Sequence, residues 1–267
     1  MTRKNWKLSL MKRRKCEPMK KLLILLACLG ISTTAFAYSN ADLEKVQAGG
    51  NCVNGDLSGA DLSGLDLSGR NFEGTKFNQA RLIGTNFNNT SLNDAKFDHA
   101  LMNNAKFRGA DATNVSFKYA VGAGADFTNA DLAASNFYRA QLRGAKFLNA
   151  NLKHIEAQEA SLDSIVADYA DFSNANMPYA WMYKAQLKNA SFNYANLYSA
   201  KLQHADLSDA DMTSAKMGKT NLRNSILANA KFNAAVLDNA DLRNADLTYT
   251  EFGTATKMNT KFEWSNA

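Results

Sequence analysis

From Gly55 to Trp264 the chain keeps a period of five through 42 consecutive pentads, without an insertion or a deletion. Each pentad reads small, polar, large, polar, polar, as in Gly-Asp-Leu57-Ser-Gly, Ala-Asp-Leu62-Ser-Gly, Ala-Lys-Phe107-Arg-Gly and Ala-Asp-Leu242-Arg-Asn. The third position is Leu, Phe or Met in 37 of the 42, and the first is Ala, Gly, Ser or Thr in 37. A helix has no use for this pattern, because residues five apart are separated by about 140° around its axis and form no stripe. A plain strand fails as well, since its alternation has period two. What satisfies the pattern is a chain that turns a corner after every pentad, with the large residue on a common axis and the small one beside it. Four corners then close a coil of 20 residues.

The distribution of bulk tests that coil length. Phe fills the large position at 77, 87, 97, 107, 117, 127, 137 and 147, alternating between two opposite faces of a 20-residue coil. Smaller residues, such as Leu82, Leu92, Met102, Ala112, Gly122, Leu132 and Leu142, take the other two faces. Ala157 and Ala167 then interrupt both Phe columns, and Phe moves to a third face at 172, 192, 232 and 252. Large opposite small at each level is what an interior of fixed width requires. The fifth position is Gly or Asn in 20 pentads, the types that tolerate φ > 0 in a tight turn. Asn89, Asn129, Asn149, Asn189 and Asn229 share one corner, which predicts a ladder of stacked amides.

These residues resemble the pentapeptide-repeat family, whose Ala-Asp/Asn-Leu/Phe-X-X consensus is met at Ala125-Asp126-Phe127 and Ala240-Asp241-Leu242. The resemblance covers the chain after about Gly55 and implies an all-β fold, a right-handed quadrilateral parallel β-helix of about 10.5 coils. It implies no common activity. Cys52-Val-Asn-Gly-Asp-Leu57 looks like the start of family members that carry Cys-X-X-Cys before the first coil. Here Gly55 stands at the second Cys, so a disulfide or metal role for that pair is not expected.

An open solenoid end exposes ladder groups and core, so it needs a cover. Ser39-Asn40-Ala41-Asp42 resembles a capping box and predicts a short helix through Leu43 and Val46, ended by Gly49-Gly50, in a cap over residues 38–54. The β-helix is expected over 55–264 and a short tail over 265–267. Nothing comparable to the cap follows Trp264. Lys257 already breaks the large position, while Met258, Phe262 and Trp264 remain apolar, so this end is expected to associate with a second copy.

The first 37 residues carry nine Lys or Arg and one Glu, and the remainder 22 basic and 24 acidic residues, a net charge near −2. Lys20-Lys21, the apolar run Leu22–Leu29 and Ala35-Phe36-Ala37 read as a signal peptide cleaved between Ala37 and Tyr38, with translation starting at Met1, Met11 or Met19. Export to the periplasm, the exterior or a thylakoid lumen is expected. The run is too short for a membrane span. Leu25-Leu26-Ala27-Cys28 departs from a lipobox at Leu26, so no lipid anchor is expected at Cys28. After the leader only Cys52 remains, and no intramolecular disulfide can form.

Catalysis is not expected. His99, His154 and His204 map to three different corners, the carboxylates occupy the outward second position of flat faces, and a winding without inserted loops predicts no concave pocket. No phosphate loop, nucleophile elbow or zinc spacing is present, and no cofactor, metal or nucleic acid is expected. Against the polar exterior, Leu101, Tyr119, Val121, Tyr138, Tyr179, Trp181, Tyr183 and Tyr198 map to one corner and its adjoining face. The same corner lacks Gly and Asn from Gln79 to Lys219, and Arg139 and Glu159 stack there one coil apart. Such an edge suits a protein or a glycan partner. Three readings follow: an exported binding or scaffold protein using this edge, a duplex-DNA mimic shielding a type II topoisomerase as the family resemblance allows, and an enzyme using surface carboxylates. The near-neutral mature charge and the leader favour the first.

Overall fold

A computed structural model describes residues 38–263, 265 and 266. Parallel bridges join each second-position residue to the one 20 residues on, from Asp56 with Lys76 through to Asp246 with Asn266, without a break. The expected coil of 20 residues is therefore the one the chain adopts, a quadrilateral parallel β-helix. Each pentad is tied to the next coil through three amides. Leu57 N–H donates to the Lys76 carbonyl at 2.8 Å, Gly59 N–H to that of Asn78 at 2.8 Å, and Lys76 N–H returns to Gly55 at 3.0 Å. A fourth bond closes the corner, as in Ala60 N–H to the Leu57 carbonyl at 3.1 Å.

The fourth residue's amide stands outside this ladder, which explains the preference for Asp and Asn at the second position. Their side chains accept that spare N–H, as Asp126 does from Thr128 at 3.1 Å and Asp171 from Ser173 at 2.9 Å. It also explains Pro178, which sits at a fourth position and forfeits no rung.

At every corner from Asn54 to Tyr249 the fifth residue has φ between 53° and 74°, whatever its type. This is the third residue of a four-residue turn, where positive φ belongs to the type II geometry. Thr254 is the exception that its chemistry predicts: a β-branched residue is strained there, and the positive φ passes to Gly253. The predicted amide ladder is reduced to one rung on its corner, Asn149 Nδ2 to Asn129 Oδ1 at 3.2 Å. Only these two of the five asparagines stand one coil apart.

The interior is closed and apolar. Phe77, Phe97, Phe117 and Phe137 stack face to face at 4.7–5.1 Å, as do Phe87, Phe107, Phe127 and Phe147 at 4.8–5.0 Å. The two columns meet edge to face across the axis, as for Phe97 and Phe107 at 5.8 Å. Where Ala157 and Ala167 end the columns, Ile155 and Ile165 are buried at the first position of the same pentads. The bulk has moved two residues along the strand rather than disappeared. At Gly122 the room is taken by Met102 and Leu142, whose side-chain carbons would stand 2.9–3.1 Å from any Cβ placed there.

Helix α1, Asn40–Gln47, covers the first coil as expected. Ser39 Oγ accepts the Asp42 N–H at 3.2 Å, but the reciprocal half of the capping box is absent. The Asp42 carboxylate accepts the Asp56 N–H at 3.0 Å instead, and Ser39 N–H donates to the Asp56 carbonyl at 2.8 Å, so the cap is bonded to the winding. The winding begins one pentad before the expected Gly55. Cys52 is buried at an inward position, its N–H donates to the Asn71 carbonyl at 2.9 Å, and Asn54 already forms a corner. Gly55 lies directly against the Cys52 Sγ, and a methyl group there would overlap the sulfur. At the far end Asn266 pairs with Asp246, so the ladder continues into residues expected to form a tail.

Candidate interaction edge

The corner occupied by Gln79, His99, Tyr119, Arg139, Glu159, Tyr179, Ser199 and Lys219 holds all eight residues at φ of 53–61°. A left-handed conformation costs a residue with a Cβ roughly 1–2 kcal/mol relative to its relaxed state. Gly or Asn would remove much of that strain, yet eight successive coils use neither. The backbone gains nothing from these choices; six of the eight, His99, Tyr119, Arg139, Glu159, Tyr179 and Lys219, touch a neighbouring side chain.

Two tyrosine pairs of the same geometry stand on this edge. Tyr119 meets Tyr138 edge to face with ring centroids 5.4 Å apart, and Tyr179 meets Tyr198 at 5.9 Å. The pairs are separated by 60 residues, three coils, or about 14 Å at the usual strand spacing of ~4.8 Å. The outer face of Tyr119 is covered by His99, stacked at 4.8 Å, and Arg139 lies 5.1 Å from the Tyr138 ring. Around the second pair, Lys219 approaches Tyr198 at 5.5 Å, Lys201 Nζ stands 3.5 Å from the Trp181 ring centroid, and Lys184 is 5.2 Å from Tyr183. Tyr119, Tyr179, Trp181 and Tyr183 are exposed, whereas Tyr138, Tyr198 and Val121 are half-buried. Leu101 and Val121 bridge each other on this edge, and Gln141 and Ser161 stand between them and Trp181 in the same column. Exposed rings also occur elsewhere, at Tyr169, Tyr194 and Tyr249, each without a ring neighbour among the described residues.

Shallow, open recesses indent the edge, where flat faces were expected. One recess runs between Tyr119 and Tyr138 on one side and Pro178 and Tyr179 on the other, floored by Asn136, Glu156 and Gln158. It exists because the intervening coil carries shorter side chains, and Glu159 there is drawn onto Arg139 at 2.8 Å. A second recess lies between Tyr179 and Trp181 beside Ser199 and Lys201, and a third between Trp181 and Tyr183 beside Arg143 and Lys184. Of the polar side chains here only Arg139 and Glu159 were placed on this edge from the sequence; the same 20-residue period puts Gln158 and Pro178 in the Tyr138 column.

Other candidate groups do not assemble. His99, His154 and His204 stand on three corners, with His204 edge to face with Tyr183 at 5.3 Å. Among the described residues no cluster of His, Cys, Asp or Glu could hold a metal ion. The outward aspartates are engaged by their own turns: the Ser68 hydroxyl and N–H hold the Asp66 carboxyl below its ordinary range, and those of Thr248 do the same for Asp246. At the C-terminal end Met258 is 64% exposed, and Phe252 and Phe262 are half-buried and meet edge to face at 5.8 Å. Trp264 lies outside the described residues. Among them no helix is long and apolar enough to cross a membrane.

The sequence matches the pentapeptide repeats family in eight copies over residues 56–94, 90–121, 123–156, 158–193, 190–229 and 225–255. The chain belongs to the pentapeptide-repeat family, and its winding is the right-handed β-helix of that family. It is similar to HetL, a pentapeptide repeat protein involved in heterocyst differentiation regulation from the cyanobacterium Nostoc sp. strain PCC 7120. Identity is 26%, the TM-score 0.62, and the match covers 81% of this chain and 95% of that one. Rfr23 from the cyanobacterium Cyanothece 51142 is 27% identical over 36% of this chain and 62% of its own, with a TM-score of 0.22. QnrB1, a plasmid-mediated fluoroquinolone resistance protein, is 21% identical over 79% of each chain, with a TM-score of 0.25. No curated protein matches the sequence.

Proposed function

We propose that this protein is an exported, non-catalytic binding or scaffold protein that works through protein contacts on the Tyr119 to Tyr198 edge. The observation that carries this reading is the corner of eight left-handed residues without a Gly or Asn, four of whose coils present rings around concave recesses. Aromatic residues beside cations, in recesses with a polar surround, are the composition of contact centres between proteins. The engagement of the outward aspartates in their own turns speaks against general acid chemistry at neutral pH. A duplex-DNA mimic would want a dense anionic face, whereas Lys118, Arg139, Arg143, Lys184, Lys201 and Lys219 gather on this edge. The leader at residues 1–37 is the basis for export.

The edge is tested with Tyr179→Asn combined with Trp181→Ser. Asn suits the left-handed corner, so the variant should be at least as stable as the parent toward urea. It should lose the partners captured from the native envelope fraction. Unchanged capture by a folded variant would refute the edge.

We further propose that the C-terminal end pairs with a second copy. Among the described residues Phe252 and Phe262 are only half-buried and Met258 is exposed, at the end opposite the one that α1 covers. Light scattering coupled to size exclusion should give a dimer at micromolar concentration, reverting to monomer with Met258→Glu and Phe262→Glu. A strict monomer in the parent protein would end this idea.

A further inference from the structure

Some cations on the solenoid are paired with a carboxylate in a neighbouring coil, while others, such as Lys96, Lys146 and Lys216, have none within 4.0 Å among the described residues. Lys76 pairs with Asp56 at 3.5 Å, Lys153 with Asp171 at 3.2 Å and Lys188 with Asp206 at 3.2 Å. The recess at Trp181 gathers three of the unpaired kind in one place. Arg143, Lys184 and Lys201 all line it, and among the described residues none of the three has a carboxylate within 4.0 Å. The one carboxylate in its wall, Asp163, is turned to neutral donors and has none of the three cations within 4.0 Å. Its Oδ1 accepts the Tyr183 N–H at 3.0 Å, and its Oδ2 faces the Ser161 hydroxyl at 3.4 Å. Lys201 rests on Trp181, which orients its ammonium without cancelling its charge. In the same wall the Gln203 Oε1 is withdrawn from solvent and has no hydrogen-bond donor among the described residues.

A site with three cations against one carboxylate, beside two exposed rings, is complementary to a chain that brings carboxylates and an apolar or aromatic side chain together. We propose that the Trp181 recess receives an acidic segment of a partner protein, with carboxylates against Arg143, Lys184 and Lys201 and a side chain against the Trp181 and Tyr183 rings. This names the partner's chemistry for the protein-contact reading above and rests on it. A long polyanion such as a sulfated glycan fits less well, because Glu156, Glu159 and Asp163 interrupt the cations along the edge. Along the Lys201 column the positions before Trp181 and after Lys201 are Ser161 and Asn221, so the positive charge does not continue.

The experiment measures binding of three labelled probes to the purified full chain by fluorescence anisotropy: a random Glu–Tyr copolymer, a Lys–Tyr copolymer and heparin. The Glu–Tyr copolymer is expected to bind, to weaken with added salt, and to lose about tenfold in affinity with either Arg143→Glu plus Lys201→Glu or Trp181→Ser, a change of about 1.4 kcal/mol. No binding of this copolymer, equal binding of the Lys–Tyr copolymer, or indifference to the charge reversal overturns the proposal. So does tighter binding of heparin that depends on the cations but not on Trp181, which would assign the patch to a polyanion. Failure here is distinguishable from failure of the edge itself. If Tyr179→Asn with Trp181→Ser abolishes partner capture and the charge reversal leaves it intact, the edge stands and the acidic partner falls.

Discussion

Phe107→Ala should lower stability by about 3–5 kcal/mol, the range for a large aromatic residue removed from a core that cannot close over the gap. Phe107 is fully buried, stacked on Phe87 at 5.0 Å and Phe127 at 4.8 Å, and meets Phe97 and Phe117 edge to face at 5.8 and 6.1 Å. The walls around it are held apart by the coil-to-coil ladder, so four ring contacts are lost with little relaxation to replace them. The chain itself contains the control. At Ala157 and Ala167 it has given up the large third residue and placed Ile155 and Ile165 at the first position of the same pentads. Adding Ala105→Ile to Phe107→Ala should therefore recover part of the loss. Urea unfolding followed by circular dichroism would measure both. A loss below about 1 kcal/mol for Phe107→Ala would mean that the ring is not enclosed as described.

Deleting the single residue Thr128 should be far more damaging than deleting the whole coil Ala120–Arg139. The single deletion moves every later residue by one place in the five-residue frame, turning inward Leu and Phe outward and driving the following polar residues into an apolar interior, where each unpaired polar group costs roughly 1–3 kcal/mol. Repeated over the remaining coils, that exceeds the whole stability of an ordinary domain, about 5–15 kcal/mol. The coil deletion keeps the frame and sets Phe107 beneath Phe147 in the same column. It removes one repeat and two interfaces while creating one, so it should leave the β spectrum intact with a modestly lower unfolding midpoint. Equal unfolding midpoints for the two deletions would contradict the winding.

The winding was legible in the sequence because the period of five is incompatible with other regular structures and because bulk exchanged between faces at 20-residue spacing. The cap was legible at Ser39 through a local side-chain-to-backbone bond. The second role of Asp42 was not, since its partner Asp56 lies 14 residues away and only the folded winding brings the two together. The start at Cys52 rather than Leu57 was hidden for a related reason: Gly50-Asn51-Cys52-Val53-Asn54 fits the frame but has a sulfur where the pattern sought Leu, Phe or Met. Of the edge, the rings were legible and the hollows between them were not. A recess is a difference in length between neighbouring side chains, as between Tyr138 and Gln158, and it emerges only when every outward column is aligned, the polar ones included. Leu101 and Val121 share the Trp181 column as the period predicts, with Gln141 and Ser161 in the coils between.

The spare amide at the fourth residue of each pentad has a further consequence. Since no backbone carbonyl of the neighbouring coil accepts it, and since this residue is the second of a turn whose φ Pro already prefers, imino acids can enter the outer surface here without breaking a backbone rung, forgoing only a side-chain bond such as that from Tyr183 N–H to Asp163. Pro178 occupies such a place, in the wall of the recess beside Tyr179. Stiffness can thus be added to the display side of the molecule one residue in five, while the load between layers is carried by other atoms.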